Sequence, residues 1–358
     1  MKELLPTTIV GKPFIKDIEQ ASEFAEGYGV PKDDVLLMAL NLSGIQSGDV
    51  QNDRGRFYLT MPNGRLYRLA LTVTTPEFTN FKHTGENVLL GNTEIGKAGT
   101  IEKDTCTDSY WRGYNHLTLN TNQRSLCKGC GFCGTYNLER GDSPLTDRES
   151  LEAEAQQLSL DVGDFTKVNA IGIVTGCFMD ENSLVKHIKM VRSVFSERGF
   201  KGEIQYVGSQ LKNDSSITEL VKDGPFSLFL TIEMFSNRDA LMKKQKSSLT
   251  LDRARELLGY TKSIGAGASF LYIAGLDSLD TFKEELPKFA KVINRFPQIQ
   301  TYQLYSPKQI VFRHDDAATL DYFLKVRQFT ENTLPDLTPV VFHNYRGLWY
   351  TNYLGKQL

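Results

Sequence analysis

The pattern of apolar and polar positions changes character about a third of the way along the chain. From about residue 111 onward, short apolar runs of strand length alternate with stretches whose apolar residues recur at helical spacing. Six runs are predicted to be strands: 116–120, 169–175, 203–208, 227–234, 269–275 and 300–305. Strands that alternate with helices form parallel sheets joined by crossover helices, so this part is predicted to be a β/α barrel or an open doubly wound sheet. A seventh run, 340–342, leaves room for a fuller barrel.

Helical patterns separate most of these runs. One is predicted to begin with a capping box, Thr146 to Glu149, and to continue to about Leu158. A second carries apolar residues at helical spacing from Leu184 and stops at Gly199. The other two cover 251–263 and 279–295.

Residues 1–110 show no such alternation and are predicted to form a separate α+β extension. Helices are expected over 15–26 and from Pro31 onward, and a hairpin joins 56–60 to 66–73. Packing, substrate recognition and oligomerisation are all open as its role. The fold class is therefore predicted to be α/β. It consists of a partial or full TIM-like barrel of parallel strands over 111–358, with a small N-terminal α+β extension.

Composition excludes several classes of protein. The 358 residues are 40% hydrophobic and 23% charged, which is ordinary for a globular enzyme. A net charge of −2 gives no support for a nucleic-acid partner. No apolar run is long enough to span a bilayer, and the N-terminus lacks a secretory apolar core. Five cysteines do not make a disulfide framework, and free clustered thiols predict a cytoplasmic location.

Three of the five cysteines, Cys127, Cys130 and Cys133, lie within seven residues. A closed structural metal site takes four protein ligands. An iron–sulfur cluster held by only three thiolates leaves one iron open for another ligand. The spacing therefore favours a 4Fe-4S cluster. The alternative is a structural zinc site completed by Cys106 or His116.

The cysteine loop resembles that of the radical S-adenosylmethionine (SAM) superfamily. A predicted strand, 116–120, precedes it, and an aromatic residue, Phe132, stands directly before the last cysteine. The superfamily's usual spacing is C-x-x-x-C-x-x-C, and this chain has one residue fewer in the first gap. The resemblance implies a cluster loop after the first strand of a β/α barrel, with SAM bound at the open iron and Phe132 beside it.

The resemblance also implies SAM-binding residues at the ends of the next strands. Thr175 and Gly176 stand where the superfamily receives the amino group of SAM, and Ser209 follows the third strand. Glu233 ends the fourth strand and Arg253 lies early in the following helix, as in the biotin synthase and hydrogenase-maturase branch. There the glutamate binds the SAM amino acid or ribose, and the arginine binds its carboxylate. A structural ion pair is the alternative for Glu233.

The last two strands are expected to hold the adenine side of SAM. Ile273 and Ala274 lie on the fifth strand, where apolar and backbone groups usually contact adenine. Gln303 and Tyr305 on the sixth strand share one parity, so both side chains are predicted to face the barrel interior. An ordinary buried strand is the alternative for the fifth.

The resemblance implies that reductive cleavage of SAM gives a 5′-deoxyadenosyl radical that takes hydrogen from a small-molecule substrate, in a biosynthetic reaction. A flavodoxin or ferredoxin would supply the electron. Two further cysteines are too few for a second cluster. Cys177, after the second strand, is the candidate catalytic hydrogen donor, with a buried apolar role as its alternative. A non-enzymatic zinc or electron-transfer module is the second functional hypothesis.

A short lysine run follows the fourth predicted strand. The lysine run at 243–246 is predicted to be a solvated helix face, and an anionic substrate contact is its alternative.

Overall fold

The computed structural model describes residues 12–49, 54–104, 109–111, 115–120, 129–133, 145–174, 178–304, 307–340 and 347–351. The chain divides into two compact units. The first unit consists of residues 1–105, 273–284 and 299–358, and the second consists of 106–272 and 285–298. The predicted seventh run, 340–342, lies mostly outside the described residues.

Two helices open the first unit, and both are predicted by the sequence. Helix α1 spans Ile18–Tyr28 and is capped by Asp17, whose side chain accepts a hydrogen bond from the backbone N–H of Gln20. It ends at Gly29, where φ is +64°. Helix α2 spans Lys32–Ser43, and every residue from its third position onward is buried.

An antiparallel sheet follows in the same unit. Its strands are β1 Arg54–Thr60, β2 Leu66–Thr72, β3 Phe81–Thr84, β4 Asn87–Leu90, β5 Thr93–Ala98 and β6 Glu102–Lys103. Their order is β2-β1-β5-β4-β3, with β6 paired to β1. The predicted hairpin is confirmed as the antiparallel pair β1–β2. Strands β3 to β5 were not predicted, because each is short and mixes polar with apolar residues.

A second sheet contains the six predicted strands in chain order, together with a short strand, β7, that was not predicted. They are β7 Tyr110–Trp111, β8 His116–Leu119, β9 Ala170–Val174, β10 Glu203–Gly208, β11 Phe226–Glu233, β12 Gly267–Ala274 and β13 Gln298–Thr301. The order is β13-β12-β11-β10-β9-β8-β7. Strands β8 to β12 pair in parallel, and β7 pairs with β8 in the antiparallel direction. The six strands from β8 to β13 form a curled half-barrel, which confirms the predicted fold class.

Crossover helices connect these strands. They are α3 Arg148–Val162, α4 Glu181–Ser196, α5 Asp214–Lys222, α6 Arg238–Leu241, α7 Lys244–Ser247, α8 Leu251–Ser263 and α9 Leu279–Ala290. The predicted capping box placed the N-cap of α3 at Thr146, one residue too early. Asp147 is the N-cap and accepts from the Ser150 N–H at 2.8 Å, because the helix begins at Arg148 and a carboxylate is favoured at its positive end. Helix α9 ends before the predicted residue 295. None of the described helices is both long enough and apolar enough to cross a membrane.

A buried ion pair lies in the core of the first unit. Helix α10, Leu320–Thr333, carries Arg327, whose Nη1 lies 2.6 Å from Oδ2 of Asp34 on α2. Thr351 donates to the same oxygen at 3.1 Å. Burial raises the pKa of Asp34 to about 6, although the Arg327 guanidinium acts in the opposite direction. Removing either charge would leave the other buried without its counter-charge.

Candidate functional site

The described part of the cysteine loop, residues 129–133, is held in the second unit by backbone hydrogen bonds. Gly131 N–H donates to the Leu241 carbonyl at 3.0 Å. Cys130 is 6% exposed, and its Sγ accepts the Lys243 N–H at 3.4 Å. The Cys133 N–H donates to the Cys130 carbonyl at 3.1 Å, which closes a tight turn. The segment after β11 therefore fixes the position of the Cys130 sulfur.

Only glycine fits at the start of this loop. Gly129 has φ +110°, in the left-handed region, and a Cβ built on it would lie 3.0 Å from Cβ of Lys243. Lys243 is itself buried at 9% exposed. The prediction that the lysine run is a solvated helix face is therefore wrong for Lys243, because its backbone packs against the cysteine loop. Lys244, in contrast, is exposed.

Glu233 ends β11 in a backbone conformation that is rare for a residue with a side chain. Its φ is +66°, and the pairing of β11 with β12 shifts register between Thr231 and Glu233. The side chain is buried and forms an ion pair with Lys246. Strained, buried carboxylates of this kind cluster at functional sites, where the surrounding structure holds the strain.

Arg238 holds the backbone on both sides of Glu233. Its Nη1 donates to the Ile232 carbonyl at 2.5 Å and to the Met234 carbonyl at 2.8 Å, and its Nη2 donates to the Leu249 carbonyl at 3.0 Å. One guanidinium thus ties the end of β11 to the segment that precedes α8. The left-handed conformation of Glu233 is therefore fixed before any ligand binds.

The charges of the site act on the cysteine sulfur. Burial raises the pKa of the Cys130 thiol above its usual value. The Lys246 ammonium and the Lys243 N–H lower that pKa, whereas the carboxylate of Glu233 raises it. Cys130, Glu233 and Lys246 therefore share one electrostatic environment at the end of β11.

Arg253 lies away from this arrangement. Its guanidinium donates to Asp214 at 2.9 Å and to Glu256 at 3.0 Å, and 37% of its side chain is exposed. The ion pair with Asp214 joins α8 to α5 at the surface, and the pair with Glu256 lies within α8. The predicted role of Arg253 toward a SAM carboxylate stays a prediction.

Other predicted residues are buried within their own units. Phe132 lies in the cysteine loop and is 3% exposed. Ser209 follows β10 and is 4% exposed. In the first unit, Ile273 is half-buried, and the Ala274 carbonyl accepts from the Tyr302 N–H at 2.9 Å.

Gln303 is also buried in the first unit. Its Nε2 donates to Oδ1 of Asn41 at 2.7 Å and to the Ala70 carbonyl at 3.2 Å. These bonds give Gln303 a structural role, and its contact with SAM stays a prediction.

Some predicted residues lie outside the described part of the chain: Cys106, Cys127, Thr175, Gly176, Cys177 and Tyr305. Within the described ranges, no three His, Cys, Asp or Glu side chains lie close enough to hold a metal ion. The described ranges contain Cys130 and Cys133 but not Cys127, the third cysteine of the motif.

The sequence did not predict the contacts that Arg238, Lys243 and Lys246 make at this site, and the lysine run was expected to be a solvated helix face. The spacing of 13 residues between Glu233 and Lys246 has no helical or strand period. No local pattern could have paired them, because the turn between β11 and α8 brings them together.

No family model matches the chain. No curated protein matches it.

Several solved structures are similar to the chain at low identity. SuiB from Streptococcus suis bound to S-adenosylmethionine is 17% identical, with 61% of this chain and 46% of that chain covered and a TM-score of 0.42. The radical S-adenosylmethionine methyltransferase TsrM from Kitasatospora setae, with cobalamin and a [4Fe-4S] cluster bound, is 11% identical, with 55% and 38% covered and a TM-score of 0.39.

The radical SAM enzyme coproporphyrinogen III oxidase (HemN) from Escherichia coli is 14% identical, with 62% and 51% covered and a TM-score of 0.38. This chain therefore spans about half, or less, of the length of each of these proteins.

Proposed function

We propose that this protein is a radical SAM enzyme that binds a 4Fe-4S cluster through Cys127, Cys130 and Cys133. The observation that carries the proposal is the environment of Cys130. Its buried sulfur accepts a backbone N–H and lies in the field of the Glu233–Lys246 pair. Hydrogen bonds to sulfur and low solvent exposure are the usual means by which proteins tune iron–sulfur clusters.

The donor set fits such a cluster. Cys127, Cys130 and Cys133 would hold three irons of such a cluster and would leave the fourth free to bind SAM. When bound, the cluster supplies the electron that cleaves SAM reductively. The 5′-deoxyadenosyl radical formed from SAM would then take a hydrogen atom from a small-molecule substrate.

The protein's own residues bind and orient in this scheme. Glu233 is a carboxylate acceptor for the amino or ribose hydroxyl groups of SAM, and Lys246 forms a buried ion pair with it. Arg238 holds the backbone on both sides of Glu233, so the turn that presents the carboxylate is already formed when SAM binds. Phe132 excludes water beside the last cysteine. Cys177 is the proposed hydrogen donor to a substrate radical, and a flavodoxin or ferredoxin is the proposed electron donor.

The decisive experiment is anaerobic. The full chain is reconstituted with iron and sulfide and mixed with SAM and dithionite, and 5′-deoxyadenosine is measured by mass spectrometry. We expect 5′-deoxyadenosine from the wild type and none from Cys130→Ala. Cys106→Ala is the matched control, because it removes one thiol that the cluster does not need.

A zinc-loaded, colourless protein that never cleaves SAM would overturn the proposal in favour of a structural metal site. Loss of metal in Cys106→Ala would point to the same site. A brown protein that never cleaves SAM would favour an electron-transfer module instead.

A further inference from the structure

A cavity within the first unit has a positively charged lining. It is small, with a volume of about 20 Å³, and it is partly open to solvent. Arg313 and Lys12 line it, together with Phe14, Ser43 and Thr72. Among the described residues that line it, none is acidic. The cavity is therefore built for a small ligand that carries negative charge.

Arg313 is a buried cation that lacks a counter-charge in the described part of the chain. It is 6% exposed, and its Nε and Nη2 atoms have no hydrogen-bond partner there. The guanidinium carbon lies 5.0 Å from the centre of the Phe14 ring, a cation–π contact that orients the group without satisfying its N–H donors. Burial lowers the pKa of Arg313 to about 10, so the group is still charged at neutral pH. A buried, unpaired charge is costly, and an incoming anion would offset that cost.

The geometry of the two unpaired atoms selects the ligand. Nε and Nη2 lie on the same edge of a guanidinium, and their two N–H bonds are parallel. This edge matches the two oxygens of one carboxylate. Ser43 lies nearby with its Oγ accepting the Phe14 N–H at 3.4 Å, so its own hydroxyl hydrogen can point to a ligand. A phosphate dianion would bring more oxygens than one guanidinium edge and one hydroxyl satisfy.

We propose that this cavity binds the carboxylate group of a small organic acid, held in two-pronged fashion by Nε and Nη2 of Arg313. Exposed Lys12 contributes a second positive charge. The site belongs entirely to the first unit, and the proposal does not depend on the proposed SAM chemistry.

The test uses the melting temperature of the full chain. Sodium acetate, propionate and succinate are titrated at constant ionic strength against sodium chloride, with inorganic phosphate as a separate arm. At least one carboxylate is expected to raise the melting temperature in a saturable manner, by about 2–5 °C at a hundredfold excess over its dissociation constant. Chloride and phosphate are expected to have no saturable effect.

Three variants make the result specific. Arg313→Met is expected to lose the shift and to melt no lower than the wild type without ligand, because an unpaired buried charge has been removed. Arg313→Lys keeps the charge but lacks the two-pronged edge, so its affinity for the carboxylate is expected to fall at least tenfold. Lys97→Gln, which removes an exposed cation of the same unit, is the control and keeps the full shift.

Two kinds of result would overturn the proposal. One is the absence of a saturable rise with every carboxylate, or a rise with phosphate alone. The other is an unchanged rise in both Arg313 variants.

Discussion

Replacing His187 tests whether burial keeps an imidazole neutral inside the second unit. His187 lies on α4, is 4% exposed, and packs with its ring centre 5.0 Å from that of Phe178. Its Nε2 has no hydrogen-bond partner within the described ranges. Burial lowers the pKa of His187 from 6.5 to about 4. The folded protein therefore resists a proton that the unfolded chain accepts.

The sign and size of the effect follow from this difference. Between pH 6.5 and about 4 the unfolded chain binds the proton and the folded chain does not, so the free energy of unfolding falls as the pH falls. The interval is about 2.5 pH units, and each unit is worth about 1.36 kcal/mol, so the loss is about 3 kcal/mol. The stabilisation is fully present above pH 6.5 and is lost as the pH falls through about 4.

The assay is urea unfolding of the wild type, His187→Phe and His187→Gln between pH 7.5 and pH 4. Asp34 acts in the opposite direction, because its raised pKa of about 6 favours the folded state as the pH falls. Its contribution cancels in the difference between variant and wild type. As the pH falls, the free energy of unfolding of each variant is expected to rise by about 3 kcal/mol relative to that of the wild type. A constant packing cost of either variant does not change this relative rise. A difference that stays constant with pH would refute the reasoning.

Two further changes have defined outcomes. Asp34→Asn is expected to lower the free energy of unfolding at pH 7.5 by about 3–5 kcal/mol, because it leaves the Arg327 guanidinium buried without its counter-charge; the surface control Asp214→Asn should cost less than about 1 kcal/mol, and equal costs in urea unfolding would contradict the assignment. Gly129→Ala is expected to lower the iron and sulfide bound per chain after reconstitution, because of its φ of +110° and the 3.0 Å approach of Lys243. Gly163→Ala, at φ +72° in open surroundings, is the control, and equal iron content in the two variants would show that the loop tolerates a side chain.

The parallel half-barrel was predictable because its signals are local. Strand β10 and helix α8 have the predicted bounds, since continuous apolar runs and helical spacing are properties of short segments. Strands β3 to β5 carry no such signal, because each is only four to six residues long and mixes polar with apolar residues. Their pairing depends on neighbouring strands.

The site was predictable only in part. Cys130 and Glu233 stand out in the sequence through spacing and through a carboxylate that ends an apolar strand. The roles of Lys246 and Arg238 come from a turn whose geometry no periodicity encodes. Arg253 was chosen for its position at the start of a helix. Position alone did not predict that its side chain pairs with two surface carboxylates.

The ion pair between Asp34 and Arg327 has a consequence for the order in which the protein can be completed during synthesis. The two residues are separated by 293 positions in the chain. At about 5–20 residues per second, Asp34 is added to the chain about 15–60 s before its partner. Helix α2 therefore cannot reach its final packing, in which the Asp34 carboxylate is buried, until the parallel strands have been synthesised in sequence order. The first residues to emerge are among the last to reach their final packing, so this interval is when the nascent chain exposes most apolar surface to chaperones or to other chains.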